Sequence, residues 1–425
     1  MEIQDLYAIF LQHPSIQTDT RKLKQGDLFF ALKGPNFNGN KFARQAIEAG
    51  AAFAVIDEPS DYSHDRLIAT NDVLETLQQL AKYHRLKFTI PFIAITGSNG
   101  KTTTKELIHE VLSTTYKTYT TKGNLNNHIG IPLTILSVQK DAEMAVIEMG
   151  ANHQKEIESY CSYTLPTHGL ITNCGKAHLE GFGSIEGVRK GKGELFDYLR
   201  AHDGTAFIMN DYSYLKEMSQ GIREIKTYGT KDADITGIEN NGSEFLEVQI
   251  TNGAPLKNIT TQLVGVYNLP NVLAAVVVGK YFKVDDGKIK RALESYTPSN
   301  SRSQLIEKDG NKIILDAYNA NPSSMKAAIE NFSKMAGQNK ILLLGGMMEM
   351  GNESIAEHQA LVDLIAKYTW NQVVLVGGDF NKITHPYLYF NNSTEAKEWL
   401  QLQHFKNAVL LVKGSRSLQM EKVLE

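Results

Sequence analysis

Two cysteines in 425 residues, Cys161 and Cys174, are too few for a disulfide framework, and their scarcity fits a reducing compartment. Neither charge is in surplus. The 44 basic and 47 acidic side chains leave a formal net charge of -3, without the clustered basic excess that marks nucleic-acid-binding surfaces. Long apolar runs are missing too: the longest, around Val272–Val278, falls far short of the ~20 residues that span a bilayer. The opening MEIQDLYAIF has no basic stretch ahead of an apolar one, so it does not read as a secretory leader. These absences leave a cytoplasmic chain, expected to act as a monomer without nucleic acid or membrane insertion. Its length suggests about two to four domains.

The patterning is α/β and separates into three regions, with expected bounds 1–88, 89–297 and 298–425. In the first, the strand-like DLFFAL (Asp27–Leu32) and AAFAVID (Ala51–Asp57) flank NKFARQAIEAG, where Phe42, Ala46, Ile47 and Ala49 share a helix face and Gly50 stops it. The second offers buried strands at PFIAIT (Pro91–Thr96), AVIEMG (Ala145–Gly150), HGLITN (His168–Asn173) and TAFIMN (Thr205–Asn210). Apolar runs bounded by polar turns suit a parallel sheet covered on both faces. Residues Ile235–Thr261 alternate as antiparallel strands do, and a helix follows at Asn271–Tyr281. The third alternates strand and helix: Lys312–Tyr318, Lys340–Gly346, Gln372–Gly378 and Ala408–Gly414 as strands, with helices including Ser323–Met335 and Ile355–Tyr368. That alternation points to a doubly wound fold.

The strongest local signal is ITGSNGKTTTKE (Ile95–Glu106), which follows a predicted strand and opens a predicted helix. Gly97 and Gly100 permit tight turns, so that the N–H groups of Gly97, Ser98, Asn99, Gly100 and Thr103 can converge on phosphate oxygens. Lys101 would meet the β and γ phosphates of ATP, and the Thr102 hydroxyl would ligate Mg²⁺. The helix N-terminus favours the anion further. The generic phosphate-loop pattern places its first glycine at position 95, which is Ile95 here. Glu148 ends a predicted buried strand, at the carboxyl edge where open α/β sheets take ligands, and its carboxylate could complete an Mg²⁺ shell. Without the neighbouring loop, a strand-end charge reaching solvent would be an equal reading. A lone His178 is by default a packing or hydrogen-bonding residue, and Lys192, close to Arg189 and Lys190, a surface lysine.

The loop TGSNGKTTTK resembles that of the Mur ligase family. GNLNNHIGIPLTIL (Gly123–Leu136), EMGANHQKEI (Glu148–Ile157), ITNCGKAHLEGFGS (Ile171–Ser184) and GKGEL (Gly191–Leu195) are similar to its central-domain motifs. So are LDAYNANPSSM (Leu315–Met325), LGGMMEMG (Leu344–Gly351) and LVKGSRSLQME (Leu411–Glu421) near the end, and TDTRKLKQGDLFFALKG (Thr18–Gly34) near the start. The resemblance implies three domains: a small α/β domain for a UDP-linked substrate, a central phosphate-loop ATPase domain with a parallel sheet, and a Rossmann-like C-terminal domain. It implies an ATP-dependent amide ligase of peptidoglycan precursor synthesis, joining UDP-N-acetylmuramoyl-tripeptide to D-alanyl-D-alanine through an acyl phosphate.

What the resemblance assigns goes residue by residue. His178 would touch a second Mg²⁺ ion, and Lys192 would carry a carbamate, whose oxygens can do what an ammonium cannot. Thr18, Asp19, Thr20 and Arg21 would approach the UDP end, although physics alone reads Arg21 as a solvated arginine. Asn124, Asn126 and Asn127 belong to a substrate-binding motif. Arg302 would reach the nucleotide phosphates, Asn268 and Asn271 the adenine, and Asp316 and Tyr318 the ribose or base. Capping or turn chemistry is as good a reading for Asn268, Asn271 and Asp316. Lys413, Ser415 and Arg416 would hold the dipeptide carboxylate, unless they are only a loop–helix junction. Nucleotide and substrate would draw the domains together and shield the acyl phosphate from water. The family pattern is broken at Asn38-Gly39-Asn40, Gly191, Tyr267 and Gly346, where Asp-Gly-His, alanine, histidine and aspartate are common.

Two alternatives stand beside this one. A sister ligase that adds the third amino acid usually carries Asp-Asn-Pro-Arg, which the chain lacks. A nucleotide-binding relative without catalysis would have no need of Lys101, Thr102, Glu148, His178 and Lys192 together.

Overall fold

The computed structural model describes residues 1–59, 62, 64–240, 244–299 and 301–425. Within them, the apolar runs form sheets of four, nine and six strands, each drawn from one contiguous stretch of chain. The four-stranded sheet runs Ile16–Gln17, Leu28–Phe30, Phe53–Ile56, Leu67–Ala69, all parallel. Its helix Ala43–Glu48 ends just before Gly50, whose φ of 105° only glycine adopts easily.

Helix Val73–Arg85, absent from the expected elements, joins this unit to the next. Asp72 caps it by accepting from Glu75 N–H at 2.7 Å. Val73, Leu77, Leu80, Ala81 and His84 recur at helical spacing and are buried. At its end the Arg85 guanidinium donates to the Thr164 and Leu165 carbonyls, both at 2.9 Å, and lies 3.9 Å over the Phe92 ring. A buried cation satisfied by carbonyls pins the first unit to the second.

Across the nine-stranded sheet the order is Ile259–Thr260, Glu247–Asn252, Ile235–Glu239, Glu224–Gly229, Thr205–Met209, His168–Ile171, Phe92–Thr96, Met144–Glu148, Thr118–Thr120. The last seven are parallel, and the expected antiparallel stretch is the other edge, Ile235–Thr260, apart from residues 241–243, which lie outside the described residues. Phe92–Thr96 lies where the winding reverses: the chain first builds outward on one side of it and then on the other. Crevices at such switch points, at the carboxyl ends of the strands, are where open α/β sheets bind ligands. The largely apolar helix Leu269–Tyr281 is buried along nearly its whole length.

The third sheet runs Gln304–Lys308, Asn311–Asp316, Ala408–Lys413, Asn339–Gly345, Gln372–Val376, Leu388–Phe390, parallel but for the first pair. Four of these strands are the expected ones. Gln304–Lys308 and Leu388–Phe390 are edge strands with few buried side chains, so their sequences carry little apolar signal. Among the described residues no helix is long and apolar enough to cross a membrane.

One core group gives acid sensitivity. His168 starts an inner strand, packed against Phe207, Tyr281 and Phe282, and burial pushes its imidazole down to about 4. Protons bind the unfolded chain first, so this contribution is complete above the ordinary histidine value near 6.5 and is lost as pH falls toward 4. The shift is worth about 3 kcal/mol. Urea midpoints measured from pH 7 to 4 should fall, and His168→Phe should flatten that slope.

Candidate active site

The loop after strand Phe92–Thr96 leads into helix Lys101–Ser113 through two left-handed glycines, Gly97 at φ 142° and Gly100 at φ 78°. Neither position has space for a side chain. A Cβ on Gly97 would lie 2.0 Å from Thr172 Oγ1, and one on Gly100 2.7 Å from Asn271 Oδ1. The neighbouring segment after His168–Ile171 braces the loop from outside. Ser98 N–H donates to Asn173 O (2.9 Å), Asn99 N–H to Asn173 Oδ1 (3.1 Å), and Ser98 Oγ to Gly175 O (2.8 Å). Gly97→Ala therefore combines a clash with backbone strain of about 1–3 kcal/mol. It is expected to weaken ATP binding by roughly tenfold or more, measured by titration calorimetry.

This loop opens into a cavity of about 970 Å³ lined from both the second and the third sheet units. Lys101 sits at its mouth with Nζ on the Gly97 carbonyl at 2.6 Å, and burial lowers its ammonium's pKa against the opposing pull of Glu148. Thr102 Oγ1 lies 3.1 Å from Glu148 Oε1, which also accepts from Asn126 Nδ2 at 2.8 Å. The other oxygen, Glu148 Oε2, is buried with no partner among the described residues. A buried carboxylate oxygen left unsatisfied beside a hydroxyl suits a small hard cation. Among the described residues no three His, Cys, Asp or Glu side chains cluster as a metal cage; a Mg²⁺ ion ligated largely by phosphate and water needs none.

Lys192 is not a surface lysine. It is fully buried on helix Ile185–Ala201, with Nζ donating to the Ala151 carbonyl at 2.8 Å and lying 4.9 Å from the Phe182 ring centre. Burial, reinforced by the charge of Lys101, pushes its amine down to about 7. The departure at Gly191 has a cause here, since a Cβ there would meet Phe182 Cε1 at 2.4 Å.

From the third unit, Arg302 reaches the cavity with its guanidinium 3.5 Å over the Tyr318 ring, its Nε buried and without a partner among the described residues. Tyr318 thus carries the arginine. Asp316 is engaged as well, its Oδ2 paired with buried Lys413 Nζ at 2.6 Å. Asn268 and Asn271 line the cavity but bond inward: Asn268 Nδ2 to Val264 O, Asn271 Nδ2 to Asn268 Oδ1, and Thr104 Oγ1 to Asn271 Oδ1. Local bonding accounts for Asn268, while Asn271 also ties its helix to helix Lys101–Ser113 through Thr104. Tyr267 spends its hydroxyl on Ser303 Oγ at 3.1 Å.

Other expected residues are placed elsewhere. Thr18, Asp19, Thr20 and Arg21 form a surface turn outside the cavity lining, in which Asp19 accepts from Arg21 at 2.8 and 2.9 Å. Asn38 and Asn40 are used by Glu58 and Asp57, at 2.7 and 2.8 Å. Asn124, Asn126 and Asn127 do line the cavity, and Asn127 Oδ1 also caps helix Gly130–Leu136 from its N-terminal side. Lys413 lines it too, but Ser415 is buried under the Met348 N–H and Arg416 turns outward to Glu421. At Gly346 a Cβ would come within 2.5 Å of Gly378 Cα, so the aspartate common there has no room.

Several contacts between the units escaped the sequence. Asn321, N-cap of helix Pro322–Lys334, donates from Nδ2 to Asn99 Oδ1 at 2.7 Å, seating the third unit directly on the phosphate loop. Ser323 Oγ accepts from Lys176 N–H (3.1 Å), and Lys176 pairs with Glu357. His178 lines the cavity with Nδ1 2.5 Å from Glu349 Oε2, although the angle leaves the nitrogen without a formed hydrogen bond. The imidazole holds the Glu349 carboxyl below its usual range. NCGKAH and NANP were visible as motifs, but nothing in a sequence says that they meet.

Comparison with known proteins follows the same order along the chain. Residues 14–85 match the model of the Mur ligase family catalytic domain, 95–279 the Mur ligase middle domain, and 301–416 the Mur ligase glutamate ligase domain. A curated UDP-N-acetylmuramoyl-tripeptide–D-alanyl-D-alanine ligase from Bacillus subtilis is 35% identical, covering 96% of this chain and 92% of its own. The crystal structure of MurF from Acinetobacter baumannii superposes with a TM-score of 0.87 at 30% identity, over 96% of this chain and 92% of that one. MurF from Thermotoga maritima, solved in complex with ADP, gives a TM-score of 0.87 at 26% identity, over 97% of both chains.

Proposed function

Because the chain belongs to the Mur ligase family, we propose that it is an ATP-dependent ligase that adds D-alanyl-D-alanine to UDP-N-acetylmuramoyl-tripeptide. The observation that carries this reading is the shared cavity. A phosphate loop, a buried acid with a bare oxygen and a cavity-side arginine from the third unit face one space. We assign residues 1–88 to the UDP end of the substrate, 89–297 to ATP and 298–425 to the incoming dipeptide. Thr18–Arg21 could approach the UDP end only at the surface, and Lys413 is the dipeptide candidate that the cavity contains.

A carboxylate is a poor electrophile, so the reaction needs a leaving group. The tripeptide carboxylate oxygen attacks the γ-phosphorus of ATP, the bond to the β-bridging oxygen breaks, and ADP leaves an acyl phosphate. Charge on the transferring phosphoryl group is met by Lys101, which exchanges its carbonyl partner for phosphate oxygens, and by Arg302 held flat on Tyr318. The dipeptide amine then attacks the acyl carbon, and inorganic phosphate departs as the amide forms. The third unit, seated on Asn99 through Asn321, keeps water from the mixed anhydride in between.

Thr102 and Glu148 would hold Mg²⁺, with His178 and a carbamate on Lys192 serving a second ion; the metal would supply charge neutralisation at the phosphates. A fully buried amine with a carbonyl partner suits conversion to carbamate, because the neutral form it favours is the one that adds CO₂. Use of ATP argues for a cytoplasmic enzyme, and a cavity built from one chain argues for a monomer.

A coupled assay tests the reading. With Mg²⁺ and bicarbonate present, ADP should appear in step with new amide only when both UDP-N-acetylmuramoyl-tripeptide and D-alanyl-D-alanine are supplied. Phosphate release that ignores either substrate, or a free amino acid replacing the dipeptide, would overturn it.

A further inference from the structure

Glu349 takes no part in the chemistry above, yet it is delivered to a cavity-lining histidine with some care. It sits at the tip of the turn between strand Asn339–Gly345 and helix Ser354–Ile365. The root of that turn is fastened at two points: Met347 N–H donates to His358 Nε2 (3.1 Å), and Met348 N–H to Ser415 Oγ (2.9 Å). His358 is itself fully buried, with Nδ1 on the Ser354 carbonyl at 2.7 Å. Gly346 packs against Gly378 without room for a Cβ. The result is a stiff bracket with a carboxylate at its end.

Both partners adopt conformations that ordinary side chains avoid. His178 has φ 52° and Glu349 φ 61°. Glu180 N–H donates to Glu349 O at 3.2 Å, closing the backbones together and leaving Glu349 Oε2 2.5 Å from His178 Nδ1. A carboxylate on one imidazole nitrogen decides which nitrogen carries the proton and how the ring is aimed. His178 belongs to the central unit and Glu349 to the C-terminal one, so this aim exists only while the two are docked.

We propose that Glu349 is a positioning residue for the ligase reaction: on docking of the C-terminal domain it fixes His178 with Nδ1 protonated and Nε2 available to the cavity. The inference rests on the ligase reading. A second contact supplies its control, because Lys176 and Glu357 form a separate ion pair between the same two units without touching the imidazole.

Three full-length variants test it: Glu349→Ala, Glu349→Gln and Glu357→Ala, each checked for an unchanged melting temperature. Glu349→Ala should lower kcat by about 30-fold, the scale on which such supporting carboxylates act, with KM for ATP within about twofold. Glu349→Gln should recover part of the loss, since its amide oxygen can take the place of Oε2 beside Nδ1. Glu357→Ala should leave kcat within about threefold, since the pair is half-exposed at its Lys176 end and does not touch the imidazole. Independently of turnover, ¹⁵N spectra of histidine-labelled protein, with the His178 signals assigned by their loss in His178→Asn, should show Nδ1 protonated in the parent chain. Those signals should move toward a tautomer mixture in Glu349→Ala and much less in Glu349→Gln. Equal kcat losses in Glu349→Ala and Glu357→Ala with unmoved His178 signals would reduce Glu349 to a docking contact and overturn the proposal. If the parent chain makes no amide product, the ligase reading fails instead, and the spectra still judge the Glu349–His178 link.

Discussion

Lys192→Ala is expected to lower kcat by about 10³-fold while leaving ATP affinity nearly unchanged. The side chain is fully buried, it donates to the Ala151 carbonyl, and its amine is pushed down to about 7. At pH 7.5 most of it is therefore neutral and nucleophilic. On the proposed carbamate reading its lone pair would add to CO₂ and a proton would be released, leaving an anion with two oxygens. Two consequences distinguish this from a packing role. Parent protein equilibrated with ¹³C-bicarbonate should give a carbamate carbon signal that Lys192→Ala lacks. Lys192→Arg, a permanent cation of similar length, should be as inactive as alanine. An alanine variant within tenfold of the parent, or no carbamate signal under saturating bicarbonate, would remove the lysine from the chemistry.

Lys101→Met should be comparably severe, about 10³-fold in kcat/KM, but with a different distribution. Methionine keeps much of the stem's volume and discards the charge. Lys101 currently rests on the Gly97 carbonyl at 2.6 Å, a contact that helps shape the loop. The variant should therefore lose both transition-state charge compensation and nucleotide affinity, raising KM for ATP where Lys192→Ala does not. Rapid-quench measurement of acyl phosphate separates them further. If Lys101→Met forms the acyl phosphate at the parent rate and is slow only in amide formation, the lysine does not serve phosphoryl transfer.

The fold was legible wherever burial leaves a compositional trace. Phe92–Thr96, Met144–Glu148, Thr205–Met209 and the four inner strands of the last sheet are continuous apolar runs, because parallel strands covered on both faces have no polar side to show. Helix Val73–Arg85 was missed although Val73, Leu77, Leu80 and Ala81 mark its face, since charged and polar residues between them dilute the run. The site divides in the same way. Lys101, Thr102 and Glu148 could be found because local geometry fixes them: a glycine turn, a helix start, a strand end. Lys192 lay in a stretch of basic residues, and only three-dimensional packing separates its buried amine from half-buried Arg189 and exposed Lys190. Asn321 on Asn99 and Glu349 on His178 join positions 222 and 171 residues apart, distances over which no periodicity informs. The asparagines Asn268 and Asn271 line the cavity as their residue type suggested, but their amides are also engaged within the protein, which residue type does not tell.

The third sheet is sewn together by its middle. Strand Ala408–Lys413 pairs with Asn311–Asp316 on one side and Asn339–Gly345 on the other. Until it inserts, that unit is a two-stranded hairpin and a three-stranded ribbon, each with a raw margin open to another chain's backbone. The stitch closes at its last residue, where Lys413 lies level with Asp316 and pairs with it inside the cavity. A protease cut anywhere between helix Ser393–Gln403 and that strand would thus do more than loosen a surface loop. It would unseam the unit, uncover two sticky borders and dismantle one wall of the reaction chamber in a single event.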